Sequence, residues 1–242
     1  MGIGGAPVLK PFNTLAQAHT PDGAELSLHA HDGQFFLRVN RQPLMSTTAT
    51  ESERTMAQLA CNGLERAKKP RVLIGGLGFG FTLKRVLEIV GPGATVHVAE
   101  LLPEVVTWNR EFLREVNGSL LSDPRVKVIV GDVFTVIAEA KEDYYDAIML
   151  DVDNGPVAMV KDGNDRLYAR DGLTASLHVL KPGGHAAFWS ASQDRKFEKR
   201  LTQAGFTVEV FSAKSHEQAR RPSHTIFVGQ KPLPKVDPRK KR

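Results

Sequence analysis

From residue 71 onward one pattern repeats along the chain: a short apolar run, a turn, then apolar residues at helical spacing. Few folds accommodate that alternation. Strands joined by helices lie parallel to one another, and the helices must cover both faces of the sheet they form. RVLIGG, TVHVAE, RVKVIVGD, YDAIMLD and HAAFWS supply five such strands. Between them, FTLKRVLEIV sets Phe81, Leu83, Val86, Leu87 and Val90 at helical spacing, and PEVVTWNREFLREV opens a helix with Pro103. VFTVIAEA, RLYARDGLTASLHVL and QDRKFEKRLTQAGF read as further helices, and KPGG as a turn before the fifth strand. FTVEVFSA and HTIFVGQ follow without a helix between them, which predicts one antiparallel strand joining the sheet edge. The expected fold class is α/β, with a mostly parallel seven-stranded sheet.

The first part of the chain differs. Residues 1–22 show no clear period and read as irregular. AELSLHA and QFFLRVN, separated by HDG, predict a hairpin, and NRQP leads into LMST, completing a small β-hairpin unit. Thr50 with Glu53 three residues later is a capping-box pattern that opens a helix. The expected organisation is a β-hairpin unit with the first helix over 1–60, an α/β domain over 61–230 and a basic tail over 231–242.

Composition narrows the function classes. A hydrophobic share of 41% over 242 residues supports a sizeable core. One cysteine, Cys61, excludes an internal disulfide framework and a zinc ribbon. There is no run of 18 apolar residues, and MGIGGAPVLK lacks the charged-then-apolar order of a secretory signal, so the expectation is a cytoplasmic protein without a membrane partner. A net charge of +5 suggests a nucleic-acid partner. Its location argues against one. The last eight residues hold five Lys/Arg and one Asp, which leaves only +1 on the rest of the chain.

The first strand–helix turn is Gly75-Gly76-Leu77-Gly78-Phe79-Gly80. Glycines at Gly76, Gly78 and Gly80 let backbone turn sharply and pass close to a ligand. The dinucleotide spacing would need glycine at 81, where Phe81 stands, and the Lys-Ser/Thr of a phosphate-binding loop is absent. Glu100 ends the second strand, placed to accept hydrogen bonds from both ribose hydroxyls. Asp132 follows the third strand, where it can accept from an adenine amino group, with Val133 among the apolar neighbours flanking the ring. Three successive strand ends thus converge where open α/β sheets bind ligands.

With GGLGFG, VAE, GDVF, DAIMLD and LKPGG, residues 71–229 resemble a class I S-adenosylmethionine-dependent methyltransferase fold, Rossmann-like in its sheet. Residues 24–230, with the hairpin unit, are most similar to the spermidine synthase (polyamine aminopropyltransferase) branch. The resemblance implies a transferase whose donor is S-adenosylmethionine or its decarboxylated form. Glu100 would hold the ribose, Asp132 the adenine, and Gly76, Gly78 and Gly80 the methionine part. Asp151, opening the loop Asp151-Val152-Asp153-Asn154-Gly155-Pro156, matches the Asp that acts as base on the attacking amine. Asp153, Asn154, Tyr168 and Trp189 are the candidates for binding the acceptor, a small amine. Asn154 stands where the branch has a second Asp. The branch's glycine turn carries an aspartate for the donor amine, and here no acid lies between Gly75 and Gly80. Methyl transfer is therefore placed slightly ahead of aminopropyl transfer. Asp151-x-Asp153-Asn154 also resembles the D-x-D-K segment of metal-dependent O-methyltransferases, but no carboxylate follows strand five until Asp194, so no metal site is expected. A nucleoside-binding protein without turnover is a further alternative, and the branch implies a possible homodimer.

Overall fold

A computed structural model describes residues 12–20, 23–151 and 165–234. Asp153, Asn154 and the basic tail from 235 lie outside the described residues.

The N-terminal unit is a four-stranded antiparallel sheet in sequence order: β1 (Asn13–His19), β2 (Glu25–His31), β3 (Gln34–Val39) and β4 (Gln42–Ser46). Its two tight turns place Asp32, Gly33, Asn40 and Arg41 at positive φ, the twist that two-residue hairpins require. Leu26, Leu28, Leu37 and Val39 bury themselves in the main core. β1 corrects the expectation that residues 1–22 are irregular. Among the described residues it is an edge strand paired to β2, and its residues are exposed or partly buried, so NTLAQAH carries little alternation to read.

Helix α1 (Glu51–Ala60) follows, with Met56, Ala57 and Ala60 buried against the large sheet's core. The expected capping box is not formed. Thr50 has helical backbone angles and makes no side-chain cap bond. Glu53, which would have turned back to the helix start, faces the end of the sheet instead, within electrostatic reach of Asp151.

The large sheet takes β5 (Arg71–Gly75), β6 (Thr95–Glu100), β7 (Val126–Val130), β8 (Tyr145–Leu150), β9 (Leu180–Ser190), β10 (Thr207–Ala213) and β11 (His224–Gln230) in the order β10-β11-β9-β8-β5-β6-β7. β5 to β9 run parallel, and β11 runs antiparallel between β9 and β10. That matches the seven strands and single reversed strand expected. Side chains alternate across the sheet. Ala147 and Met149 of β8 join the core shared with α1, α2 (Phe81–Ile89), α3 (Pro103–Glu111) and the N-terminal sheet. Ile148 and Leu150 join the opposite core, with α5 (Val133–Glu139), α7 (Arg170–Val179) and α8 (Arg195–Ala204).

Two expected helices are split. PEVVTWNREFLREV breaks after α3 and resumes as α4 (Arg114–Asn117). RLYARDGLTASLHVL becomes α6 (Asp165–Tyr168) and α7, with Ala169 extended between them. Gly172 lets α7 pack directly on the backbone of α6: a Cβ there would lie 2.2 Å from the Arg166 carbonyl oxygen. KPGG is not a turn but a bulge inside β9. Tyr145 pairs with Leu180 and Ala147 with His185, so the extra residues loop out of register, with Gly183 at φ +80°.

Candidate functional site

The site is built at the carboxyl ends of β5, β6, β7 and β8. Gly76, Gly78 and Gly80 all have positive φ (89°, 51° and 83°), a conformation other residues adopt only with strain. The turn is also crowded: a Cβ at Gly78 would meet the Met45 methyl of β4 at 2.9 Å. The N-terminal sheet therefore sits directly over the glycine turn.

Glu100 holds this turn. Its Oε2 accepts from the Leu77 N–H at 2.8 Å and its Oε1 from the Leu102 N–H at 3.0 Å. The residue is 7% exposed. Burial raises its pKa, and backbone N–H groups from the turn and strand end pull it back down. The N–H groups of Leu77, Gly78, Leu101 and Leu102 all turn toward this carboxylate, which fixes the glycine turn to the end of β6. From the other side, the Asn109 amide donates to the Gly78 carbonyl at 2.8 Å, and the Asn117 amide donates to the Phe79 carbonyl at 2.9 Å and to Asn109 Oδ1 at 2.8 Å. These two buried asparagines were not read from the sequence. The one signal was a polar Asn109 four residues after Val105 on an otherwise apolar helix face.

Asp132 caps α5. Its Oδ1 accepts from the Phe134 N–H at 2.8 Å, and its Oδ2 from Arg166 Nη2 at 3.1 Å. Val133 is buried, and its methyl lies 2.9 Å from where a Cβ on Gly75 would be. Its side chain thus seals the floor beneath the turn. The exposed apolar side chains at this end of the sheet are Leu101, 40% exposed just beyond β6, and Val130, 55% exposed at the end of the neighbouring β7. An apolar residue directly after a strand-end acid was the sequence signal for Leu101.

Asp151 continues β8, its N–H donating to the Gly75 carbonyl at 3.2 Å. By the strand's alternation it lies on the α1 face with Ala147 and Met149. Glu53 joins it there from α1. Loss of water around the Glu53 carboxyl, and then the negative charge of Asp151, hold its pKa well above the ordinary carboxylate range. Trp189, near the end of β9, packs against the same core and lies tilted against His224, with ring centroids 4.9 Å apart. Burial lowers the His224 pKa, which favours a neutral ring beside the indole. Asp151, Glu53 and Trp189 thus share one face. Tyr168 does not join them. It packs with Phe197 and Phe188, centroids 5.6 and 6.3 Å away, in the opposite core. Among the described residues no group of three or more His, Cys, Asp or Glu is placed to hold a metal ion. No helix among them is long and apolar enough to cross a membrane.

The raised Glu53 pKa makes a prediction about stability. Its folded pKa lies above the unfolded reference of 4.5, so between those values the native state binds more protons. Wild-type stability from this group is full below the unfolded pKa and is lost as pH rises toward the folded one. Gln is the neutral isostere of the protonated acid. Glu53→Gln should therefore melt with the wild type near about pH 4 and above it at about pH 8, as thermal melts at both values will read.

A profile for the spermine/spermidine synthase domain matches residues 51–204. A polyamine aminopropyltransferase of Corynebacterium efficiens is 31% identical over 144 residues, 59% of this chain and 26% of that protein. Putrescine N-methyltransferase 2 of Nicotiana attenuata is 33% identical over 114 residues, 47% of this chain and 29% of that protein. These matches span under a third of either relative's length. Spermidine synthase solved with the transition-state analogue AdoDATO has the same fold, with a TM-score of 0.72 at 14% identity, covering 94% of this chain and 78% of that one.

Proposed function

We propose that this chain, which belongs to the spermine/spermidine synthase family, transfers a carbon group from an S-adenosyl donor to the amine of a small polyamine-like acceptor. The observation that carries the reading is the pair of acids, Asp151 and Glu53, converging beside the glycine turn. Two carboxyls within electrostatic reach of each other are mutually unfavourable, and a cationic ligand relieves both. An ammonium group cannot attack until it loses a proton. Asp151 accepts that proton and aims the nitrogen, while Glu53 holds positive charge on the acceptor and the Trp189 ring offers it a π face. The new nitrogen–carbon bond forms as the carbon–sulfur bond of the sulfonium breaks, and a neutral thioether leaves. Orientation and proton removal are the protein's share of the work.

On the donor side, the Gly75–Gly80 turn, Glu100, the exposed Leu101 and Val130, and Asp132 fit a nucleoside: close backbone, an acceptor for the ribose, an apolar face and an acceptor for the base amine. Family membership and the corynebacterial relative support aminopropyl transfer from decarboxylated S-adenosylmethionine, and this moves the weight away from the sequence-based preference for methyl transfer. Methyl transfer from S-adenosylmethionine is the second reading. It is favoured by the absence of an acid in the turn, where Gly78 is closed over by Met45, and by the likeness to putrescine N-methyltransferases. The donor site is tested by calorimetric titration with S-adenosylmethionine, its decarboxylated form, methylthioadenosine and S-adenosylhomocysteine. At least one must bind saturably; failure of all four overturns the reading.

A further inference from the structure

We infer that Arg166 is an internal occupant of the nucleobase subsite, engaging Asp132 and Phe134 where the amino edge of a purine would dock. The inference rests on the nucleoside reading of Asp132 above. Asp132 has one carboxylate oxygen committed to capping α5 through the Phe134 N–H. The other oxygen, which that reading gives to the base, is held by Arg166 Nη2 at 3.1 Å. The same guanidinium lies over the Phe134 ring, its carbon 4.7 Å from the ring centroid.

A guanidinium is flat, delocalised and edged with N–H donors, and it stacks on aromatic faces. An adenine offers two of the same features, a flat face and an amino donor. Acceptor and ring are thus already engaged by a group with much of the recognition chemistry a base would use. The contact is at an open rim, with the Arg166 side chain 56% exposed and that of Asp132 31% exposed. Ion pairs and cation–π contacts at such exposure are weak, so Arg166 is displaced by a ligand rather than excluding it. A site that is occupied part of the time binds its ligand more weakly by the fraction of time it is free. Arg166 therefore sets the nucleoside affinity from within.

The test is calorimetric titration of methylthioadenosine into wild type, Arg166→Ala, Arg166→Gln and Asp132→Ala at low and high potassium chloride. Melting curves will show that each variant folds. Arg166→Ala and Arg166→Gln should bind about 3- to 10-fold more tightly than wild type. Wild-type affinity should rise with salt, which screens the Arg166–Asp132 pair, while that of Arg166→Ala stays flat. Weaker binding by both Arg166 variants would make Arg166 a wall that stacks on the base, and unchanged binding would make it a bystander; either overturns the inference. Asp132→Ala separates the two levels, because it removes the acceptor and frees Arg166 together. If wild type binds and Asp132→Ala binds as tightly as Arg166→Ala, the base does not use Asp132 and the occupant role falls with it. If no variant binds any nucleoside, the donor reading itself fails.

Discussion

Asp151→Asn is expected to lower turnover by about 10²- to 10⁴-fold, the usual contribution of a positioned general base. The substitution keeps the side chain's shape, and the backbone bond from the Asp151 N–H to Gly75 is independent of it. An amide cannot take the acceptor's proton at neutral pH. Nucleoside affinity should be unchanged, because the proposed donor side is made by Glu100, the glycine turn and Asp132. The rate loss should also shrink as pH rises, since more acceptor then arrives already deprotonated. Steady-state rates between about pH 7 and about pH 10, with calorimetry alongside, check both halves. A variant that turns over like wild type removes Asp151 from the chemistry.

Glu100→Ala is expected to show the second large effect, and it acts on two levels at once. Two backbone N–H groups, those of Leu77 and Leu102, lose their acceptor in a place with almost no water. An unsatisfied buried donor costs about 1–3 kcal/mol, so the variant should lose about 2–4 kcal/mol of stability in denaturant unfolding. The ribose loses a charged acceptor as well. Hydrogen bonds to charged groups contribute about 1.5–3 kcal/mol each, so nucleoside affinity should fall by about 100-fold or more. Glu100→Gln is the informative companion. Its amide oxygen keeps one of the two backbone bonds, while its amino group confronts the other N–H. Stability and affinity should both fall between those of wild type and Glu100→Ala. Loss of stability without loss of nucleoside affinity would mean that Glu100 only braces the turn.

What could be read from the sequence was what is local to one strand end. The glycine turn, Glu100, Asp132 and Asp151 each follow directly from an apolar run, so the alternation that locates the strands also locates them. Interactions between distant segments were not legible. Glu53 looked like a first-turn helix acid because the capping pattern is local, while its approach to Asp151 depends on how α1 packs on the sheet. Arg166 meets Asp132 across 34 residues of sequence, from the short α6 that the extended Ala169 separates from α7. The asparagines beneath the turn, Asn109 and Asn117, belong to another pair of helices that the sequence presents as one. Tyr168 was drawn toward the acceptor by its place after the Asp151 loop, yet aromatic packing with Phe188 and Phe197 takes it to the other face. KPGG carries turn residues, and the chain uses them to bulge a strand rather than to end one.

The most direct test of the central claim is the mass of the product. Wild-type protein is incubated with putrescine and an equal mixture of S-adenosylmethionine and its decarboxylated form, and acceptor and nucleoside products are both weighed by mass spectrometry. Aminopropyl transfer predicts an acceptor heavier by one aminopropyl group, with methylthioadenosine released in equal amount. An acceptor heavier by one methyl group, with S-adenosylhomocysteine released, would install the second reading. An acceptor left unchanged in mass, across putrescine and a panel of other small amines, while a donor is bound in the cleft, would contradict the account.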